Sequence, residues 1–267
     1  MVYLLGNIVP MGGLTVVDKK ALAYINMFAV LGTLENLCDL DQKAKDILKN
    51  AKPVSIGFDV KDGPKATLSF EDGKCMLTEG CDDCDIKLPF SSVDKFNGLI
   101  DGTYTPIPNK GFSKIGFLLK TFIALTDRLN EVMRPTEEAL KDPEFFTLNT
   151  VLTFYTVTVA ISQLGNNDAV SRFSASNMED GDILVSIKDG PKSIIHVKDH
   201  ILTTEKEGEG NPRCVMEFAS MELANDLFND KVNSLACIGD GAILMKGMIS
   251  MLDNMNRILD RVSMYLA

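Results

Sequence analysis

The sequence has no run of lysine or arginine side chains anywhere along its 267 residues. Its formal net charge is -10 at pH 7, because 37 acidic residues outnumber 27 basic ones. Proteins that bind nucleic acid draw their affinity from clustered basic side chains, and anionic membranes attract the same kind of cluster. The composition therefore argues against nucleic acid as a partner and leaves at most a transient membrane contact through an apolar patch.

Histidine is scarce, and no catalytic motif surrounds the two that are present, His196 and His200. A spacing of four residues places two side chains on one face only in a helix, whereas these two straddle a predicted strand and turn. No serine or cysteine stands in a nucleophile elbow, and the short run 239–241 does not fit a dinucleotide fingerprint. We therefore predict no enzymatic activity, no cofactor and no bound metal.

The N terminus is a poor match to a signal peptide. Residues 1–17 carry no charge, but they lack a basic first segment and are interrupted by Asn7, Pro10 and Gly12. Cysteines in a chain without a secretory signal are normally reduced. The six cysteines are irregularly placed, at Cys38, Cys75, Cys81, Cys84, Cys214 and Cys237. We expect a cytoplasmic protein with free thiols.

Cys81 and Cys84 are separated by two aspartates, a spacing found in redox motifs and in zinc half-sites. No second pair with this spacing follows, and the two histidines lie in the other half of the chain. The pattern therefore favours a solvated turn over a metal site.

A second uncharged stretch, residues 145–167, is long enough to cross a membrane. It contains several threonines together with Ser162 and Gln163, which hydrocarbon solvates poorly. We predict a helix buried inside the protein.

An internal repeat organises the chain. The run KDGPK occurs at residues 61–65 and again at 188–192, and apolar residues alternate with polar ones on both sides of each run. Alternation with a period of two indicates half-buried strands, and the Asp-Gly pair indicates a hairpin turn in which glycine supplies a positive φ. The matched strand positions are Ile56, Phe58 and Val60 with Ile183, Val185 and Ile187, then Leu68 and Phe70 with Ile195 and Val197.

Each half continues through the same order of elements. A third strand, 86–90 in the first half and 214–218 in the second, leads into a short helix capped by Ser91 or Ser92 and by Ser220. A glycine-containing segment follows, with Gly111 opposite Gly239. A long apolar helix closes each half, and in the second half it spans 248–266 with apolar spacings of three and four.

These patterns predict an α+β protein of two similar domains, residues 1–139 with an N-terminal extension and residues 140–267. Each would be an antiparallel sheet covered by helices. The segment from Arg134 to Pro143 is the predicted linker.

The second half resembles the sterol carrier protein type two family. The resemblance rests on residues 218–247, where a short helix, a loop of small residues and a last strand lead into the closing helix, with Gly241 and Gly247 at the family's two glycine positions. It covers residues 168–266 well and 42–133 less well. In the first half, Ser113 and Leu119 stand at those glycine positions, with Gly116 between them.

The resemblance implies an apolar cavity between sheet and closing helix that binds a fatty acyl chain, a sterol or a similar lipid, without catalysis. The side chains expected to line it are Phe218, Leu223, Leu227, Phe228, Ile243, Met245, Met248, Met251, Leu252 and Met255 in the second half, and Phe58, Phe70, Phe90, Phe96 and Phe122 in the first. Ordinary core packing is the competing interpretation for each of these residues. The alternative function is a structural or dimerisation module that supports a partner enzyme and binds no lipid.

Overall fold

The computed structural model describes residues 17–229, 231–232 and 234–266. The signal-peptide prediction concerns residues that lie almost entirely outside these ranges. The described chain divides into two compact units. Leu22–Lys141 forms the first unit, and the chain from Asp142 onward, together with the residues before Leu22, forms the second.

The first unit combines one sheet with several helices. Its helices are the end of α1 (Lys19–Tyr24), whose first residues belong to the second unit, and α2 (Thr33–Leu40), α3 (Gln42–Leu48), α4 (Val93–Ile100) and α5 (Ile123–Met133). It also has π-helical turns at Ile25–Leu31 and Phe117–Phe122 and a 3-10 turn at Phe112–Lys114. Its strands are β1 (Val54–Val60), β2 (Lys65–Glu71), β3 (Lys74–Glu79) and β4 (Ile86–Phe90), arranged in the order β3-β2-β1-β4.

The second unit has the same order of elements, with one further helix, α9, and one further strand, β9. Its helices are α6 (Pro143–Asn167), α7 (Ala169–Ser176), α8 (Met221–Phe228), α9 (Ser234–Gly239) and α10 (Ile249–Leu266). Its strands are β5 (Gly181–Ile187), β6 (Lys192–Lys198), β7 (Ile201–Lys206), β8 (Cys214–Phe218) and β9 (Ile243–Gly247), in the order β7-β6-β5-β8-β9. The protein is α+β, as predicted.

The prediction of purely antiparallel sheets is wrong in one strand pair of each unit. β1 pairs parallel with β4, and β5 pairs parallel with β8 in the equivalent register. Each unit begins its sheet with two consecutive antiparallel hairpins, β1-β2-β3 in the first unit and β5-β6-β7 in the second. The chain then returns to the other side of β1 or β5 and enters the parallel strand there. β3 and β7 were missed because both are edge strands with mostly exposed, polar residues, so their alternation is weak.

Both KDGPK runs form the predicted hairpin turns, but the glycine is not the residue with positive φ. Asp62 and Asp189 adopt φ of 59° and 56°. The glycines are needed for space instead, since a Cβ on Gly63 would lie 2.8 Å from Val60 Cγ1 and one on Gly190 would lie 3.0 Å from Met221 Sδ. Aspartate tolerates the left-handed region better than most residues, which explains how the turn forms.

Buried helices form much of each core. α6 is almost fully buried along its apolar and threonine-rich length, which confirms the predicted buried helix. Pro143–Asn167 and Lys19–Leu40 are both long and apolar enough to span a membrane by composition, and 67% of each tested window is buried inside the protein. Core helices of soluble proteins have the same properties, so this is weak support for a membrane span.

Within the described residues, the first unit has no counterpart of β9. A single bridge between Lys87 and Lys110 stands where β8 pairs with β9. A Cβ on Gly111 would lie 2.3 Å from the Asp85 carbonyl oxygen, and one on Gly247 would lie 2.1 Å from the Arg213 carbonyl oxygen. Gly111 is therefore the equivalent of Gly247, so the sequence alignment of Gly111 with Gly239, and of Ser113 and Leu119 with the family glycines, is wrong.

Candidate functional site

The candidate site of the second unit lies where β9 passes into α10. Gly247 adopts φ of 100°, and its close approach to the Arg213 carbonyl leaves no room for a side chain. The following amide, Met248 N, donates to the same carbonyl oxygen at 3.2 Å. This turn fixes the start of α10 against the start of β8 and places Met245 and Met248 on either side of the junction.

The apolar stripe of α10 runs from the core to the surface at this junction. Met251 and Met255 are fully buried, Met245 and Met248 are half-buried, and Ile249 is 81% exposed. Asn256 Nδ2 contacts Met245 Sδ at 3.9 Å, which links β9 directly to α10. The apolar interior thus reaches solvent through methionines, whose unbranched thioethers adapt to neighbours of different shape.

The predicted lining residues of the second unit fall into two groups. The buried ones are Phe218, Phe228, Ile243, Met251, Leu252 and Met255, whereas Leu223, Leu227, Met245 and Met248 are half-buried. Phe218 and Phe228 pack ring against ring at 6.1 Å. The half-buried residues all belong to α8 and the β9–α10 junction, so these two regions border the exposed end of the apolar interior.

The first unit fills its interior with aromatic rings. Phe58 packs on Phe96 and Phe122 with ring centroids 6.3 and 6.2 Å apart, and Phe122 also packs on Phe70 at 6.2 Å. Phe90 lies 5.2 Å from Phe96. The five phenylalanines predicted as a cavity wall thus contact one another and are all buried.

The second unit has smaller side chains at four of these five positions. Strand register defines the equivalent positions in the sheets, and the matched arginines described below define them in the closing helices. The capping residues Ser92 and Ser220 define them in α4 and α8, and the capping residues Asp41 and Asp168 define them in the helices before the sheets. The pairs are Phe58 and Val185, Phe70 and Val197, Phe96 and Ala224, and Phe122 and Met255. Two changes act in the opposite direction, since Phe154 stands opposite Met27 and Phe228 opposite Ile100. Four aromatic rings are lost in the second unit and two are gained.

A buried ion pair holds the closing helix in each unit. Arg261 binds Asp168 through two hydrogen bonds of 2.8 and 2.9 Å, and Arg128 binds Asp41 through two of 2.9 Å. Each aspartate also caps the helix that follows it, because its carboxylate accepts an amide hydrogen bond. Neither arginine was predicted from the sequence, although each is a single cation within an apolar helical stripe.

Hydrogen bonding controls the charge of these aspartates. Burial alone raises the pKa of Asp168, but the bonds from Arg261, from the Tyr265 hydroxyl and from Ser171 outweigh it and hold the pKa below its usual value. Burial, together with the bond to Asp168, raises the pKa of Tyr265 to about 12. The pKa of Asp41 is lowered in the same way by Arg128 and the Ala44 amide. These groups therefore stabilise structure and are poor acids or bases near neutral pH.

Cys81 and Cys84 do not form the predicted solvated turn. They are 2% and 3% exposed, because their loop folds over the outer face of the sheet beside Gly57. A Cβ on Gly57 would lie 2.5 Å from Cys84 Sγ, so the missing side chain makes room for the thiol. Burial raises the pKa of the Cys81 thiol, which disfavours the reactive thiolate.

His196 lies half-buried on β6, between two carboxylates. Its Nδ1 is 2.7 Å from Asp182 and its Nε2 is 3.1 Å from Glu205. Both bonds raise the pKa of His196, with the bond to Asp182 the larger cause. In the part of the chain that the structure describes, no group of three or more His, Cys, Asp and Glu side chains is placed to hold a metal.

One open groove of about 480 Å³ lies on the first unit between α3 and α5. It is bordered by Lys43, Asp46, Asp127 and Arg128, and none of the predicted lining residues contributes to it. Its charged rim does not suit an alkyl chain. The lipid cavity of the second unit therefore remains a prediction.

No protein-family model and no curated protein matches the chain. Among solved structures, it is similar to the sterol carrier protein domain 2 of Helicoverpa armigera, at 14% identity over 43% of this chain and 88% of that one, with a TM-score of 0.34. A structure of sterol carrier protein 2 gives 16% identity, 42% and 95% coverage and a TM-score of 0.32. The UbiJ-SCP2 ubiquinone synthesis protein is 17% identical over 40% of this chain and 90% of that one, with a TM-score of 0.30. Scores of this size leave the family open, and the α+β description stands on the structure itself.

Proposed function

We propose that this protein is a non-catalytic lipid-binding or lipid-transfer protein with two domains of one sterol-carrier-like plan, and that its second unit holds the lipid. One observation carries the proposal. On matching frameworks, the first unit packs phenylalanine at four positions where the second has valine, valine, alanine and methionine. These smaller and more adaptable side chains support the second interior as the one that opens around an alkyl chain.

The position of the methionines supports a route into this interior. Met251 and Met255 are buried on α10, Met245 and Met248 are half-buried at its start, and Ile249 projects into solvent. An alkyl chain that enters beside Ile249 would contact apolar side chains along its whole path. Displacing methionine side chains costs little, because the thioether chain has several accessible rotamers.

The energetics require no polar anchor. Burying a chain of about sixteen carbons contributes roughly 13 kcal/mol at about 0.8 kcal/mol per methylene, before association and ordering costs of several kcal/mol. Micromolar binding requires about 8 kcal/mol. An apolar interior of sufficient length therefore comes close to this affinity without a catalytic or charged group.

The direct test is mass spectrometry of lipids extracted from the native protein, together with titration by a fluorescent fatty acid. The variant Met255→Phe gives the second unit the ring that the first has at Phe122. We expect at least a tenfold loss of fatty-acid affinity, because the ring occupies the proposed path. Overpacking a core costs about 1 to 3 kcal/mol, so thermal unfolding is measured in parallel.

The matched control is Phe122→Met, which makes the reverse exchange in the first unit. We expect this control to leave fatty-acid affinity unchanged. A native protein that carries no lipid and does not bind fatty acid would contradict the proposal, as would a folded Met255→Phe variant with full affinity.

The second candidate function is a structural or dimerisation module for a partner enzyme. The ring cluster of the first unit favours this role for that unit, because its interior is occupied by its own side chains. An unchanged fatty-acid affinity in the Phe122→Met control would agree with a structural role for the first unit and lipid binding by the second.

A further inference from the structure

One segment of the first unit has a charge pattern opposite to that of the whole chain. Residues 102–126 contain three lysines and no aspartate or glutamate, whereas the chain as a whole carries a net charge of -10. The segment covers the loop after α4, the turns at Phe112–Lys114 and Phe117–Phe122, and the start of α5. The segment lies between Asp101 and Asp127, and it differs from the uncharged stretch at residues 145–167 in that its charged side chains are all basic.

The same segment exposes large apolar side chains on one side of a helix. Phe112 is 61% exposed, Leu119 59% and Ile123 45%, with spacings of seven and four residues that place them on one helical face. Gly116 lies between them, and no heavy atom lies within 4 Å of a Cβ built on it. Phe122 and Leu125, on the opposite side, are buried in the core.

Lysines border this face, and the acid nearest to it along the helix is the exposed Asp127, one turn beyond Ile123. Lys120 is exposed directly beside Leu119, and Lys110 Nζ donates a hydrogen bond to the Cys84 carbonyl, which leaves its charge uncompensated by that bond. Lys114 pairs with Asp85 at 2.8 Å, so its charge is offset locally. We call Phe112, Gly116, Leu119, Lys120 and Ile123 the docking face.

The combination of apolar and basic side chains selects among possible partners. A helix that lies in a membrane interface inserts apolar side chains among the acyl chains and keeps lysines at the level of the headgroups. Anionic lipid attracts such lysines, whereas a second copy of this acidic chain would be repelled on average. Another exposed aromatic residue, Phe173 on α7, is 73% exposed and has the exposed Arg172 beside it, but two acids, Glu179 and Asp180, follow it within seven residues.

We propose that the docking face binds the surface of anionic lipid membranes, with Phe112, Leu119 and Ile123 inserted below the headgroups and Lys120 among the phosphates. This site is separate from the proposed lipid interior of the second unit. A protein that carries no lipid can still dock by it, and a lipid carrier can lack it.

Co-sedimentation of the full chain with vesicles tests the proposal. The vesicles contain phosphatidylcholine alone or with about one third phosphatidylglycerol, at low and at physiological salt. We expect binding to the anionic vesicles that weakens with salt. The double variant Leu119→Ser/Ile123→Ser is expected to bind at least tenfold more weakly, because two inserted side chains are lost.

Gly116 provides a charge test that does not disturb packing. Gly116→Glu and Gly116→Lys both place a long side chain in open space on the docking face. We expect about fivefold weaker binding for the first and about fivefold tighter binding for the second, from the usual effect of one charge near an anionic surface. Phe173→Ser, which removes an apolar side chain of similar exposure elsewhere, is the matched control and should bind as the unaltered protein does.

Several outcomes would overturn the proposal. Equal binding by the two Gly116 variants, loss of binding in Phe173→Ser alone, or no binding to anionic vesicles at low salt would each do so. Sedimentation velocity is run on the same variants. If Leu119→Ser/Ile123→Ser instead abolishes a dimer, the face is a contact between two copies of the chain and the membrane proposal fails.

Discussion

Two buried aspartates connect the helices of this protein more firmly than any surface ion pair could. Asp168 accepts bonds from Arg261, Tyr265 and Ser171, and only 3% of its side chain is exposed. A buried carboxylate costs free energy unless every oxygen is compensated. The network therefore defines where α10 must pack, which in turn positions the methionines of the candidate site.

Removal of one partner from this network should destabilise the second unit strongly. We expect Arg261→Met to lower the free energy of unfolding by about 3 kcal/mol, because it leaves a buried carboxylate without its cation. Urea unfolding at pH 7 measures the effect. The double variant Asp168→Asn/Arg261→Met should recover part of the loss, and a double variant less stable than the single one would contradict this account.

The same pair predicts a dependence on pH. The folded protein lowers the pKa of Asp168, so its contribution is present above the ordinary carboxyl pKa of about 3.9 and is lost as the pH falls through the lowered value. The difference in stability between the unaltered protein and Arg261→Met should therefore shrink below about pH 4. A difference that stays constant down to pH 2 would show that the carboxylate charge is not the cause.

His196 should respond in the opposite direction. Its pKa is raised in the folded state, so its contribution is full below the unfolded value of about 6.5 and is lost as the pH rises through the raised folded value. We expect His196→Gln to cost no more than about 1 kcal/mol at pH 6, since the pair is partly solvated, and less at pH 9.

The exposed turn histidine gives a matched control for this experiment. His200 has a φ of 66°, which asparagine tolerates, so His200→Asn replaces the other histidine and leaves Asp182, His196 and Glu205 in place. Thermal unfolding at pH 6 and pH 9 measures both variants. A larger effect of His196→Gln at pH 9 would contradict the sign of the pKa shift.

Glycine position determines how the last part of each unit joins its sheet. Gly111 has a φ of 89° and its missing Cβ faces the Asp85 carbonyl, whereas Gly116 has a helical φ of -60° and open space around it. We expect Gly111→Ala to destabilise the first unit by about 2 to 3 kcal/mol. Gly116→Ala should stabilise it by about 0.5 to 1 kcal/mol, since alanine favours helix.

Chemical denaturation of these two alanine variants tests whether Gly111 corresponds to Gly247, as in the structure, or to Gly239, as in the sequence alignment. The alignment gave Gly116 a place between the family glycine positions and matched Gly111 to Gly239, which tolerates a side chain. Equal stability of the two variants would contradict the equivalence of Gly111 and Gly247.

Local patterns in the sequence were sufficient to predict most helices, strands and turns, but not which strands pair with each other. Strand alternation, the KDGPK turns and the caps at Ser92 and Ser220 all depend on neighbours in sequence, and the structure confirms them. Parallel pairing of β1 with β4 depends on residues far apart, so no local pattern reports it. The loss of β9 in the first unit arises from a shorter connection between α4 and Gly111, which a constant repeat offset conceals.

The candidate site was predictable only as a set of apolar positions. Burial confirms Met251, Leu252 and Met255 as inward-facing, but spacing alone could not separate them from the half-buried Met245 and Met248. Asp41 and Asp168 are separated by the same distance along the chain as the two KDGPK runs, yet their arginine partners are not. Arg128 and Arg261 are 133 residues apart, whereas the aspartates are 127 apart, so a fixed offset does not align them.

For the molecule as a whole, the proposal assigns different roles to two units of one plan. The first has an aromatic interior and the docking face, and the second has an adaptable interior and the exposed junction of β9 with α10. Hydrogen exchange, followed by peptide analysis, can tell which unit binds a ligand, because a ligand stabilises only the state that binds it.

We expect a saturating fatty acid to slow exchange in the second unit and not in the first. At a free ligand concentration of about 100 times Kd, binding stabilises the folded state by about 2.7 kcal/mol, which slows exchange through global opening about a hundredfold. The effect should appear in peptides from β5 to β8 and α10, and Met255→Phe should abolish it. Protection of peptides from β1 to β4 and α5 instead would assign the lipid to the first unit, and the difference in side-chain size between the two interiors would then have no functional meaning.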